Sequence, residues 1–362
     1  VLVEQEGVFV GTLPQTSILA NTRVEWSGAD WTQLLWPVPL EPSLLRVLLT
    51  HEMFHRIQPR LALTRNEAGN RHLDTLEGRY LLQLEWRALA RGVMAVDADA
   101  RRAHVGDALA FRFERRRLFA NAATEEAALE INEGLAEYTG VRLGLLHEEE
   151  RRAFAVFDLA RFLGSPSFVR SFGYASGPAY GLLLDAADPQ WRSRLDADAD
   201  LGALLASALH IDAAALSDLD TRQRRYDADG SLRTAEETRD RDRLARATQW
   251  RATLVDGPVL VLPLQNMNLQ FNPQTLAALD DIGTVYPTLR LIDRWGELNV
   301  EGGAALIHAD YTRATVALPH TGSGTTGKGW TLTLTPGWTL APGSRAGDMT
   351  LVRDGATPGS QP

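Results

Sequence analysis

The sequence predicts an α+β protein, mostly helical, with a small β-sheet at its N-terminus and an all-β module at its C-terminal end. Three observations carry this. Residues 1–40 are β-rich, with short runs joined by Gly and Asn/Asp turns. Residues 42–253 hold apolar side chains at helical spacing, with Ala- and Leu-rich periods. Past Asp256-Gly257-Pro258 the chain becomes a series of short β-type runs divided by Gly, Pro and Asn. The expected division therefore falls between 1–253 and 254–362.

Taken in order, Val8-Phe9-Val10, 18–26 and 31–38 read as strands of the small sheet, its edge facing a cleft. Glu41-Pro42-Ser43 opens a helix, since Pro suits the first helical turn, and Pro59 ends it. Further helices are expected over 74–91, where Leu, Glu and Arg recur at helical spacing, and over 112–119. Thr124 with Glu125 and Glu126 resembles a helix start leading to Tyr138. An apolar period covers 201–216, and the charged piece 218–246 reads as a solvent-facing helix pair around Asp229-Gly230. Beyond the boundary, strands are expected at 259–262, 289–292, 297–300, 305–307, 314–318, 330–334 and 349–352, arranged as a sandwich or barrel-like module.

The first of these helices carries the chemistry. His51-Glu52-Met53-Phe54-His55 is a His-Glu-x-x-His pentapeptide. About 0.02 such matches are expected by chance in 362 residues with 8 His and 46 acidic residues. Helical positions four apart share a face, so both imidazoles reach one metal ion, and Glu52 sits beside it as a proton acceptor. Two histidines bonded to carbonyls are the plain alternative, and that reading leaves the Glu between them unexplained.

A catalytic zinc site needs a third protein ligand and an open position. Glu126, Glu130, Glu133 and Glu137 fall on one side of the following helix, an arrangement that is ordinarily a solvated face. Gly134 argues otherwise, because Gly inside a helix costs about 1 kcal/mol relative to Ala and marks close approach. Glu133 is therefore the expected third ligand, and Glu137, one turn on, a carboxylate that orients a ligand imidazole.

His51 to His55 followed by Asn132-Glu133-Gly134-Leu135-Ala136-Glu137-Tyr138 resembles the gluzincin zinc metallopeptidases, in particular their aminopeptidase N-like branch. The resemblance covers roughly residues 15–190. It implies a thermolysin-like zincin catalytic domain with His51, His55 and Glu133 as ligands of one catalytic Zn2+ and Glu52 as general base. It also implies an oxyanion-stabilising tyrosine: Tyr174 of Tyr174-Ala175-Ser176-Gly177 matches, and Tyr180 is the neighbouring alternative. The interval from His55 to Glu133 is longer than in the family, so the helices over 74–91 and 112–119 are expected as insertions. The family's Gly-Ala-Met-Glu-Asn strand is absent; Glu25, on the strand before the zinc helix, is either a solvated residue or a substitute that binds a substrate amine.

Composition narrows the partners. A formal net charge of -9 argues against a nucleic-acid partner, and the runs Arg115-Arg116-Arg117 and 222–225 read as solvated faces with acids close by. No apolar stretch is long enough to span a bilayer. With no Cys, disulfides play no part. The chain begins Val1-Leu2-Val3, as a processed or truncated N-terminus does, and the resemblance implies a periplasmic or extracellular location. His308 and His320 lack matching carboxylates and read as core or surface residues; 322–329 reads as a flexible loop. The expected function is a zinc-dependent metallopeptidase acting on peptides or short protein segments. A zinc hydrolase of a non-peptide substrate and a catalytically silent peptide-binding relative are the alternatives.

Overall fold

The computed structural model describes residues 3–12, 20–65, 69–212, 218–272, 275–319 and 324–355, and combines a helical region with a C-terminal β-rich module. The N-terminal strands differ from expectation. They form two separate antiparallel hairpins: β1 (Val3–Gln5) with β2 (Val8–Val10), and β3 (Thr22–Trp26) with β4 (Ala29–Gln33). The strand expected over 18–26 begins at Thr22, with 13–19 outside the described residues. The second hairpin packs on the first helix.

That helix, α1 (Pro42–Ile57), has Pro42 in its first turn, and the Glu41 carboxylate accepts the Leu44 N–H at 2.8 Å. It tightens into a 3-10 turn at Gln58–Leu61, where Pro59 removes a donor. A hairpin of α2 (Leu76–Met94) and α3 (Ala98–Leu118) then fills the long interval before the second motif. The piece expected over 112–119 is the end of α3, which starts fourteen residues earlier because its charged N-terminal half hid the helical period. Next, α4 (Ala122–Leu129) continues through a π-helical turn (Glu130–Gly134) into α5 (Leu135–Gly144). The helix begins at Ala122, ahead of Thr124. α1 and α5 cross closely: a Cβ on Gly140 would lie 2.7 Å from the Val47 carbonyl oxygen. Without a side chain at 140, the backbones meet and His51 comes level with Glu137.

α6 (Glu148–Arg161) and α7 (Phe172–Ala187) pack around this pair, and a 3-10 turn at Trp191–Arg194 leads to α8 (Leu201–Ala208). One continuous core, with Leu82, Leu84, Trp86, Phe111, Phe168 and Tyr180 among its members, joins α2, α3, α5 and α7. α9 (Leu219–Tyr226) and α10 (Ser231–Arg251) are the expected pair, although α10 also buries Glu236 against Arg79. Leu232 of α10 belongs to the helical core, whereas Trp250 packs with Leu254, Leu279, Val285 and Leu306 against the β module.

The module comprises β5 (Val259–Pro263), β6 (Asn268–Phe271), β7 (Ala277–Leu279), β8 (Gly283–Asp293), β9 (Gly296–His308), β10 (Arg313–Ala317), β11 (Thr326–Gly327), β12 (Trp330–Leu334), β13 (Trp338–Pro342) and β14 (Met349–Arg353). These strands make one 10-stranded sheet that forks at β9, whose first part pairs with β12 and whose second pairs with β10. The runs at 297–300 and 305–307 are two parts of one 13-residue strand, since Gly302 and Gly303 interrupt the pattern without interrupting the chain direction. Pro287 sits in β8 at a register shift between Tyr286 and Thr288, where the missing donor is tolerated. Among the described residues, no helix is long and apolar enough to cross a membrane.

Candidate metal centre

The structure brings His51, His55 and Glu133 together at the floor of a cleft of about 360 Å³, also lined by Asn21, Thr22, Glu52 and Tyr174. The two imidazoles face each other with Nε2 atoms 3.1 Å apart, and Glu133 Oε2 lies 3.5 Å from His51 Nε2 and 3.4 Å from His55 Nε2. Hydrogen bonds behind the rings decide the protonation. His51 Nδ1 is 2.7 Å from Glu137 Oε2, an acceptor, so Nδ1 carries the proton. His55 Nδ1 is 3.0 Å from Gln58 Oε1. The Gln58 amide nitrogen donates to the Leu63 and Ile131 carbonyls at 3.1 and 3.0 Å, which fixes Oε1 as the acceptor. Both neutral rings therefore turn an Nε2 lone pair inward, toward a Glu133 oxygen that has no hydrogen-bond partner.

Three lone pairs aimed at one point are mutually repulsive unless a cation sits between them. Tetrahedral zinc with bonds of about 2.0–2.1 Å holds its donors about 3.3–3.4 Å apart. The observed edges of 3.1, 3.4 and 3.5 Å fit that ion. Without a metal, protons take its place. Burial opposes charge on His51, but Glu133 and Glu137 outweigh it and raise its pKa to about 10. Burial likewise works against charge on Glu133, and the two imidazoles outweigh it, so Glu133 is held well below the usual carboxylate range.

Glu52 follows His51 on α1 and is buried in the cleft wall with Oε2 unpartnered; burial raises its pKa. Tyr174, near the start of α7, stacks on His51 at 5.6 Å between centroids, and its hydroxyl donates to Glu133. It reaches this position because α7 rides directly on the π-helical turn: a Cβ on Gly177 would lie 2.2 Å from Gly134 O. The close approach inferred from Gly134 is thus the contact of two backbones.

The other candidate residues resolve differently. Glu137 orients His51, as its place one turn beyond Glu133 suggested. Tyr180 does not reach the cleft; it is fully buried and donates to Glu85 at 2.7 Å, because it falls on the core-facing side of α7. Glu25 is exposed opposite Asp30 in the β3–β4 hairpin and does not line the cleft, which is approached instead by Asn21 and Thr22 at the start of β3. Glu126 and Glu130 are not solvated either. Glu126 pairs with Arg115 and Arg116 at 2.7 and 2.8 Å, and Glu130 meets Arg112 through two bonds of 2.7 and 2.5 Å. Arg115 is correspondingly buried and Arg116 half-buried, contrary to the solvated face expected of that run, while Arg117 is exposed as expected. His308 has a buried Nε2 without a hydrogen-bond partner and feels the charge of Asp310 two residues on, and His320 lies outside the described residues.

Three residues went unrecognised in the sequence. Gln58 is detectable in retrospect, three positions after His55 on the same helix. Asn132 holds both backbone groups of Arg65, at 3.1 and 2.8 Å, tying the chain after α1 to the π-helical turn. Asp158 on α6 lies behind Glu137, and burial, reinforced by the Glu137 charge, pushes its carboxyl up to about 8. Comparison of the chain with family models, with curated proteins and with solved structures finds no match.

Proposed function

We propose that this protein is a zinc-dependent peptidase of gluzincin type with a thermolysin-like catalytic region, held together by His51, His55 and Glu133. The observation that carries the reading is the convergence of two Nε2 lone pairs and an unpartnered Glu133 oxygen within 3.5 Å. Zinc at that point supplies a Lewis acid that polarises a carbonyl and acidifies water. Glu52 accepts the proton of the attacking water at its free Oε2 and passes it to the leaving amine nitrogen. Tyr174 turns its hydroxyl from Glu133 to the substrate carbonyl oxygen, where a preorganised donor contributes about 3 kcal/mol. Glu137 and Gln58 keep the imidazole tautomers in register throughout. A periplasmic or extracellular location belongs to the same proposal and is read by cell fractionation.

The test is metal analysis of the purified protein, followed by digestion of a peptide library with and without chelator. Stoichiometric zinc with cleavage lost on chelation is the expected result. Zinc without peptide cleavage points to another hydrolysable bond, and a protein that takes up no zinc overturns the proposal. Glu52→Gln is expected to lower kcat by about 10²–10⁴ while zinc content stays near stoichiometric. Because burial raises the Glu52 pKa from 4.5, the acid limb of the activity profile is expected above that value.

A further inference from the structure

A second cavity, of about 520 Å³, lies between the C-terminal end of α1, the outer side of α5 and the Trp191–Arg194 turn. It shares no lining residue with the metal cleft. Its walls are apolar, with Phe54, Leu63, Leu135 and Trp191 buried, and Leu61 and Leu143 are left 51% and 64% exposed at its rim. That volume falls within the about 300–1,000 Å³ typical of small-molecule sites, which pair apolar walls with a few convergent polar groups. The polar groups here carry a definite sign. Arg142 and Arg192 both line the cavity, and both pair with the same carboxylate, Asp185, at 3.3 and 2.5 Å. Two guanidiniums against one carboxylate leave a positive charge unmatched within the set. Each uses a single nitrogen for Asp185, so other donors of the guanidinium fork remain. Tyr138 cannot neutralise this charge, because burial and Asp185 raise its pKa and its hydroxyl donates to Asp185 at 2.9 Å.

We infer that this cavity binds an amphipathic monocarboxylate, the hydrocarbon portion against Phe54, Leu63 and Leu135 and the carboxylate on Arg142 and Arg192. The inference does not rest on the metal reading. Decanoate is the probe, titrated calorimetrically into the whole chain against decanol and decyltrimethylammonium. One saturable decanoate site is expected, with decanol at least about tenfold weaker and the cation weaker still. Leu143→Glu adds a negative charge at an exposed rim position and is expected to weaken decanoate at least about tenfold. Leu244→Glu, exposed on α10 and outside the cavity, leaves it unchanged. Arg192→Met gives the same loss from the cationic side. No saturable binding, equal binding of decanoate and either comparison ligand, or full affinity in both Leu143→Glu and Arg192→Met overturns the assignment.

Discussion

Glu126 and Glu130, and Glu133 and Glu137 further on, are the same residue type along one continuous run of helix that includes the π-helical turn Glu130–Gly134. Their surroundings are opposite in kind. The first two meet three arginines of α3, which are always charged. Burial opposes charge on both, yet Arg115 and Arg116 outweigh it and hold Glu126 well below the ordinary carboxylate range, whereas at Glu130 burial outweighs Arg112 and raises the carboxyl. The second two meet imidazoles, whose charge is conditional, and one Glu133 oxygen is left without a hydrogen bond. A carboxylate answered by guanidinium closes a structure; one answered by imidazole leaves a place that a proton or a metal must fill. The π-helical turn, which holds both Glu130 and Glu133, shifts the helical register where the run passes from one setting to the other.

The sharpest way to break this contrast is Arg115→Met, which takes the shared guanidinium from buried Glu85 and Glu126 and leaves them with Tyr180 and with Arg116 and His72. It is expected to cost about 3–5 kcal/mol of unfolding free energy in urea titration. Glu133→Gln is its counterpart within the π-helical turn: zinc affinity is expected to fall by at least about a hundredfold in competition with a chromophoric chelator, with a smaller loss of metal-free stability. A stability loss equal to that of Arg115→Met would erase the distinction. Glu137→Leu keeps the approximate size but removes the acceptor behind His51, and a drop in zinc affinity of about 10–100-fold is expected.

Asp158→Asn sharpens the comparison from behind the metal site and is the smallest effect. The raised pKa of about 8 means the neutral acid is the favoured folded form of Asp158. Its contribution is complete below the unfolded value of 3.8 and is lost as pH rises through about 8. The variant has no such titration. Measured on metal-free protein, it is expected to gain at least about 1 kcal/mol on the parent between about pH 4 and pH 9. Parallel pH curves for the two proteins would show that Asp158 is ionised in the fold.

Much of the candidate metal centre was legible because helical periodicity is local. His51, Glu52 and His55 needed only a spacing of four, and Gly134 announced the contact with α7 before its partner was known. Tyr174 came from the resemblance alone, and the structure places it at the cleft wall. Tyr180 failed because its side of α7 is set by tertiary packing. The arginine run failed for a similar reason: charge in a sequence reads as solvent exposure unless its distant partners are visible, and Glu85 and Asp200 are far along the chain. Strand segments in the β module were found, but their joining into long β8 and β9 depends on pairing that no single run encodes.

The contact of Gly134 with Gly177 has a consequence for altering selectivity. With main chain against main chain, the distance from the Tyr174 helix to the Glu133 turn is a fixed gauge that repacking cannot widen. Among the described residues, mouth size in this cleft is therefore adjusted at Asn21, Thr22 and Leu48, which line it outside that backbone contact. Larger or smaller guests must be accommodated there.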